Sequence, residues 1–101
     1  MNPQEISAQD LKKLLESEQP PALIDVREPY ETASGIIPGA TLMPMNDVPK
    51  RLAELPRDKT IVVYCHLGER SWMIAQFLAR RGLADVKSLA GGIEAWQTLS
   101  R

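Results

Sequence analysis

Thr60-Ile61-Val62-Val63-Tyr64-Cys65 is a run of β-branched and aromatic side chains closed by the chain's one cysteine. It shows no polar alternation, so it lacks the mark of a strand with one face in water. An unbroken apolar run of this length is the pattern of a central strand covered on both faces. His66-Leu67-Gly68-Glu69-Arg70 follows, and Ser71 opens a helix expected over residues 71 to 81. Gly82 ends that helix, and Arg80 and Arg81 sit where a helix C-terminus favours cations. Its polar positions shrink to a stripe around Gln76 and Arg80, which predicts that most of its surface is buried.

Working outward, Ala22-Leu23-Ile24-Asp25-Val26 reads as a buried strand and Val86 to Leu89 as another. Ser7 caps a helix over residues 7 to 17 whose Leu11, Leu14 and Leu15 share one face, with Asp10 in its first turn. Gln19-Pro20-Pro21 stops it. Residues Pro29 to Gly35 suit a short helical turn, Pro38-Gly39 marks a tight turn, and Thr41-Leu42-Met43 suits a brief strand. Asn46 or Asp47 is expected to cap a helix presenting Val48, Leu52 and Leu55, with Pro49 tolerated in its first turn. Gly91-Gly92 leads into a last helix carrying Ile93, Trp96 and Leu99. Strand and helix alternate with short connections. The expected class is α/β: a mostly parallel central sheet of about five strands with helices on both faces.

At 101 residues the chain fits one domain, residues 1–101, with no room for a second core. Twelve basic and thirteen acidic side chains leave a net charge of -1, so no basic field exists to recruit nucleic acid. The longest apolar stretch, Ile61 to Cys65, is too short to span a bilayer, and Met1 to Glu5 lacks the pattern of a signal peptide. No membrane partner is expected, and a cytoplasmic location is. A single cysteine makes no internal disulfide and no intramolecular dithiol cycle. Cys65 acts alone or with a partner molecule.

Ligands of open α/β folds bind beyond the carboxyl ends of the strands, where Cys65 is expected to emerge. A short loop entering a helix turns several backbone N–H groups toward one point, and Gly68 permits the positive φ that such a curl needs. Helix N-termini and adjacent cations lower a cysteine pKa from about 8.5 to roughly 3.5–7.5. Arg70 is the nearest fixed cation in sequence. A nucleophilic Cys65 is the expectation. The competing reading is an inert buried cysteine at a strand end, against which Gly68 and Arg70 weigh.

Cys65-His66-Leu67-Gly68-Glu69-Arg70-Ser71 resembles the active-site loop of rhodanese-like domains, C-x-x-G-x-R-S. Asp25-Val26-Arg27-Glu28 with Glu31, then Gly35-Ile36-Ile37-Pro38-Gly39-Ala40, is similar to that family's D-V-R-E…G-H-I-P-G-A segment. Leu89-Ala90-Gly91-Gly92 with Trp96 is similar to its L-x-G-G…W segment. Ile36 departs from the pattern, standing where the family usually has His, and is read as a structural position.

The resemblance implies ping-pong sulfur transfer by a single rhodanese-like domain. Cys65 takes a sulfane sulfur from thiosulfate or a persulfide, becomes a persulfide, and passes the sulfur to cyanide or a thiol. His66, Leu67, Gly68, Glu69 and Arg70 form the anion cradle. No metal or organic cofactor is implied, and a sulfur-relay protein is a candidate partner. Glu69 and Arg70 roughly cancel, so the mouth is not strongly electropositive and steers a dianion weakly.

His66, the one histidine, reads as a loop residue lining the pocket rather than as an acid–base partner. One Cys and one His do not make a zinc site. Asp25, inside an apolar strand, is expected to bond nearby backbone or an Arg. Arg27 and Glu28 either join the rim or pair with each other. Trp72 and Trp96 are expected to pack, and Arg80, Arg81 and Glu94 to be solvated helix charges. Two rivals remain. Cysteine phosphatases place five residues between Cys and Arg, whereas four separate Cys65 from Arg70. A regulatory rhodanese-like binding module would lack turnover, and would not need Cys65, Gly68 and Arg70 together.

Overall fold

The computed structural model describes residues 4–99. Ile61–Tyr64 (β4) is buried at all four positions and lies at the middle of a sheet that also contains Gln4–Ile6 (β1), Ala22–Asp25 (β2), Thr41–Leu42 (β3) and Val86–Leu89 (β5). The order is β1-β5-β4-β2-β3, and every pairing is parallel. Three α-helices, Ala8–Leu15 (α1), Glu69–Arg80 (α2) and Gly92–Leu99 (α3), complete the frame with 3-10 segments at Pro29–Ser34 and Met45–Glu54. Among these elements no helix is long and apolar enough to cross a membrane.

Alternate strand residues serve opposite faces, as the two-residue period of a strand demands. Ile24, Val63 and Val86 meet α2 and the Met45–Glu54 segment on one side. Leu23, Val62, Tyr64 and Leu89 meet Leu11 of α1 and Ile93 of α3 on the other. Both faces of β4 are therefore covered, the arrangement its uninterrupted apolar run predicts.

Several expected boundaries shift. β1 was not expected: it pairs Gln4 to Ile6 with Lys87 to Leu89, but only Ile6 of the three is buried, so its composition carries no apolar signal. α1 starts where expected, with Ser7 Oγ accepting the Asp10 N–H at 3.0 Å, and its helical turns end at Leu15. Neither Asn46 nor Asp47 caps a helix. The segment begins at Met45 behind Pro44, is 3-10 rather than α, and is interrupted at Arg51. Pro49 lies inside it, and its ring crowds the carbonyl four residues back, which disfavours a continuous α-helix. α2 begins at Glu69, two residues before Ser71, with Gly68 as its cap. Its exposed face is broader than expected, since Met73 is 53% exposed. In α3, Ile93 is buried, whereas Leu99 lies at the exposed end.

The charge inside β2 is resolved by Arg27, which is 1% exposed. Its Nε and Nη2 donate to the Asp25 carboxylate at 3.0 and 2.9 Å, and its backbone N–H reaches Asp25 Oδ1 at 3.0 Å. The same guanidinium donates to the carbonyls of Glu31 at 3.2 Å and Gly35 at 2.8 Å. Arg27 thus pairs with Asp25, not with Glu28, and it ties the Pro29–Ser34 turn to the sheet. Removing one partner of a buried pair strands the other charge, so Arg27→Met should lower stability by about 3–5 kcal/mol in urea unfolding. Asp25→Leu added to Arg27→Met should recover part of that loss, because no uncompensated charge then remains.

Candidate active site

Cys65 stands one residue beyond β4, where the chain leaves the sheet, and is 1% exposed. Its Sγ accepts the Gly68 N–H at 3.1 Å and the Ser71 N–H at 3.4 Å. Ser71 Oγ lies 3.5 Å from the same sulfur. Gly68, at φ 115°, makes the sharp return possible, in a conformation that side chains rarely adopt. The sulfur therefore sits against the first turn of α2, where unpaired amides and the helix dipole favour negative charge.

A second helix holds the loop from behind. The Ile93 N–H donates to the Cys65 carbonyl at 2.9 Å and the Glu94 N–H to the His66 carbonyl at 3.2 Å. Gly92 brings α3 this close: a Cβ at that position would stand 2.6 Å from the Cys65 carbonyl oxygen and would also collide with that of His66. The Gly91-Gly92 pair that opens α3 is thus a close-approach device as well as a turn.

The five residues expected to form the cradle separate on inspection. Gly68 supplies an N–H to Sγ, whereas His66, Leu67, Glu69 and Arg70 make no bond to it. His66 turns outward, its Nε2 3.7 Å from Glu94 Oε2. Glu94 therefore belongs to the loop's surroundings rather than being only a solvated helix charge. Leu67 is 54% exposed, and Glu69 is exposed. Arg70 is gripped by Glu31 in a two-pronged pair, Nη1 at 2.8 Å and Nη2 at 2.9 Å. The Arg70 guanidinium, helped by the Glu28 N–H, holds the Glu31 carboxyl down at about 2, and Glu31 in turn raises the Arg70 pKa. The fixed cation nearest Cys65 in sequence is thus paired with a carboxylate.

Ser71 is the contact residue absent from the expected cradle, although it closes the Cys65–Ser71 motif. Behind it, Ser88 of β5 is fully buried, with Oγ 2.8 Å from Ser71 Oγ. Ile36 is 54% exposed, so the structural role at this turn belongs to its neighbour. Ile37 is buried, and its N–H donates to the Tyr64 hydroxyl at 3.2 Å. Burial pushes the Tyr64 pKa up to about 12, which keeps that hydroxyl neutral. Trp72 is half-buried and borders an open groove of about 400 Å³ beside the loop, with Leu67 and Met73 on its walls and Glu5 and Glu69 at its edges. A wider cleft of about 590 Å³, lined by Glu18, Arg57, Lys59 and Asp85 among others, lies at the opposite ends of the strands, away from Cys65.

The molecule is thus an α/β domain with an all-parallel sheet and a thiol just beyond its central strand, bonded by the amides of Gly68 and Ser71 where α2 begins. The chain belongs to the rhodanese-like domain family, whose family model matches residues 7–99. A sulfurtransferase of Allochromatium vinosum is 39% identical over 92 residues, spanning 91% of this chain and 86% of that protein. The thiosulfate sulfurtransferase GlpE of Pseudomonas syringae is 36% identical over 81 residues, 80% of this chain and 76% of that one. The crystal structure of a rhodanese-like domain protein from Staphylococcus aureus matches with a TM-score of 0.86 at 33% identity, covering 92% of this chain and 90% of that chain. Sulfur transfer is the chemistry for which the first two relatives are named.

The Glu31–Arg70 clamp gives a pH signature. An unfolded glutamate protonates near 4.5, whereas Glu31 in the fold stays ionised down to about 2. The clamp's contribution is therefore complete above the unfolded value and is lost as pH falls through the folded one. Urea midpoints of the wild type should exceed those of Glu31→Gln at pH 6, and the gap should close between pH 4.5 and 2.

Proposed function

We propose that this chain is a sulfurtransferase that carries a sulfane sulfur as a persulfide on Cys65. The observation that carries this reading is the surroundings of one buried sulfur: it accepts two N–H groups at 3.1 and 3.4 Å, and its thiol donates to a hydroxyl oxygen at 3.5 Å. Hydrogen bonds to a charged form favour it, so this geometry suits a thiolate at Cys65, the form that attacks a sulfane sulfur.

In the first half-reaction the Cys65 thiolate attacks the outer sulfur of the donor. A Cys65 S–S bond forms while the donor's own bond to that sulfur breaks. The electron pair leaves on sulfite if the donor is thiosulfate, or on a thiolate if it is a persulfide. In the second, cyanide or an acceptor thiolate attacks the outer sulfur of the Cys65 persulfide, and the Cys65 thiolate returns. The balance needs no oxidant and no cofactor.

The pairing of Arg70 with Glu31 and the exposed Glu69 beside it favour a donor of low charge over a dianion. A small persulfide is therefore the better donor, and thiosulfate the slower one. A protein-to-protein relay is the second reading, favoured by Leu67 and Met73, exposed on the wall of the groove beside the loop. Four residues between Cys65 and Arg70, with the amides closing directly on Sγ, suit a single sulfur better than a phosphate.

Intact mass spectrometry tests the carrier reading. Incubation with cysteine persulfide should add one sulfur, about 32 Da, to the wild type and none to Cys65→Ser. Thiosulfate should give the same adduct more slowly, with thiocyanate released on adding cyanide. Loading by the persulfide with no change under thiosulfate would favour the relay. Failure of every donor to add sulfur would end the proposal.

A further inference from the structure

The side chain of Ser88 hydrogen-bonds to Ser71. Its Oγ lies 2.8 Å from Ser71 Oγ and makes no other hydrogen bond among the described residues, at zero exposure. A buried O–H with no acceptor is costly, so the Ser88 proton points at Ser71. Ser71 Oγ then accepts from Ser88 and has one proton of its own to place. Two acceptors lie within reach: the Gly68 carbonyl at 3.2 Å and Cys65 Sγ at 3.5 Å.

Which acceptor takes that proton depends on the charge of the sulfur. While Cys65 is a thiol, S–H donates to Ser71 Oγ and the Ser71 proton rests on the Gly68 carbonyl. Once the sulfur is an anion it has no proton to give and needs donors. The Ser71 proton can then swing to Sγ, and the Gly68 carbonyl keeps the Trp72 N–H at 3.0 Å. If Ser88 were absent, Ser71 would lose the donor that polarises it.

We propose that Ser88 is a positioning residue: by donating to Ser71 it holds the Ser71 hydroxyl ready as a third donor to anionic sulfur on Cys65. The inference rests on the reading of Cys65 as an anionic sulfur carrier. It adds to the two amides a buried hydroxyl relay reaching the sulfur from β5.

The test is the pH dependence of Cys65 alkylation by iodoacetamide, followed with melting temperature as a control for the fold. Below the half-ionisation pH, Ser88→Ala should alkylate roughly three- to tenfold more slowly than the wild type, the effect of one net hydrogen bond. The rate at high pH should not change. Ser71→Ala should slow alkylation at least as much, and Ser88→Ala in that background should add nothing, because Ser88 acts through Ser71. A wild-type pH profile for Ser88→Ala, or effects that simply add, would overturn the proposal. If Ser88→Ala does not fold, Ser88→Thr and Ser88→Val give the comparison at nearly equal volume: Thr should keep the wild-type profile and Val should not. Identical profiles for the two would also overturn it. A wild-type thiol that ionises like a free cysteine would sink the carrier reading itself; an unshifted Ser88→Ala beside an easily ionised wild type sinks only the role of Ser88.

Discussion

Arg27 brings a permanent charge into a place that water does not reach, and the site's outer scaffold is arranged around satisfying it. Asp25 supplies the counter-charge from within β2, and the carbonyls of Glu31 and Gly35 each take a further donor. One of those carbonyls lies within the 3-10 turn and the other just past its end, so the fork of one guanidinium fixes its path. The turn presents the Glu31 carboxylate to Arg70 in the first turn of α2. A pairing inside the sheet is thereby transmitted, through one backbone segment and one surface clamp, to the helix whose amides hold the sulfur. Such a pair contributes little net stability beside an apolar substitute; its value lies in fixing geometry.

The cysteine loop is held from two directions that complement each other. α3 draws the carbonyls of Cys65 and His66 toward its own first amides. In a trans peptide the N–H points opposite to the carbonyl, so the N–H groups of His66 and Leu67 are turned away from α3. α2 meanwhile supplies the Gly68 and Ser71 amides to the sulfur. Two glycines make this double grip possible for different reasons. Gly68 adopts a backbone shape that side chains resist, and Gly92 leaves the space into which a Cβ would intrude.

The parts of the molecule legible in its sequence are those set by local pattern. The apolar run of β4 announces a covered strand, Ser7 announces the start of α1, and Cys65 next to a glycine-containing loop announces the site. What escaped depends on partners remote in sequence. Gln4 to Ile6 becomes a strand only because β5 offers it an edge. Arg70 reads as a free cation until Glu31, far upstream, closes on it. Asp25, by contrast, reads in sequence as a carboxylate bonded to nearby backbone or an Arg, and it accepts both the N–H and the guanidinium of Arg27; only the choice of Arg27 waits for the structure. Ser88 looks like an ordinary polar residue of a half-buried strand, and its contact with Ser71 is a product of how α2 lies over β5. The early start of α2 had a local signal, Gly68 as a cap, which the expected opening at Ser71 passed over.

The two ends of the sheet bear on how the domain behaves at high concentration. An edge strand is a rail of unpaired backbone groups, and longer rails recruit other chains more readily. Here the edges are β3, two residues long, and β1, three residues long. Among the described residues neither offers a stretch on which a foreign strand could build a ladder of useful length. Brevity at the margins thus protects an all-parallel sheet from stacking edge to edge with its neighbours.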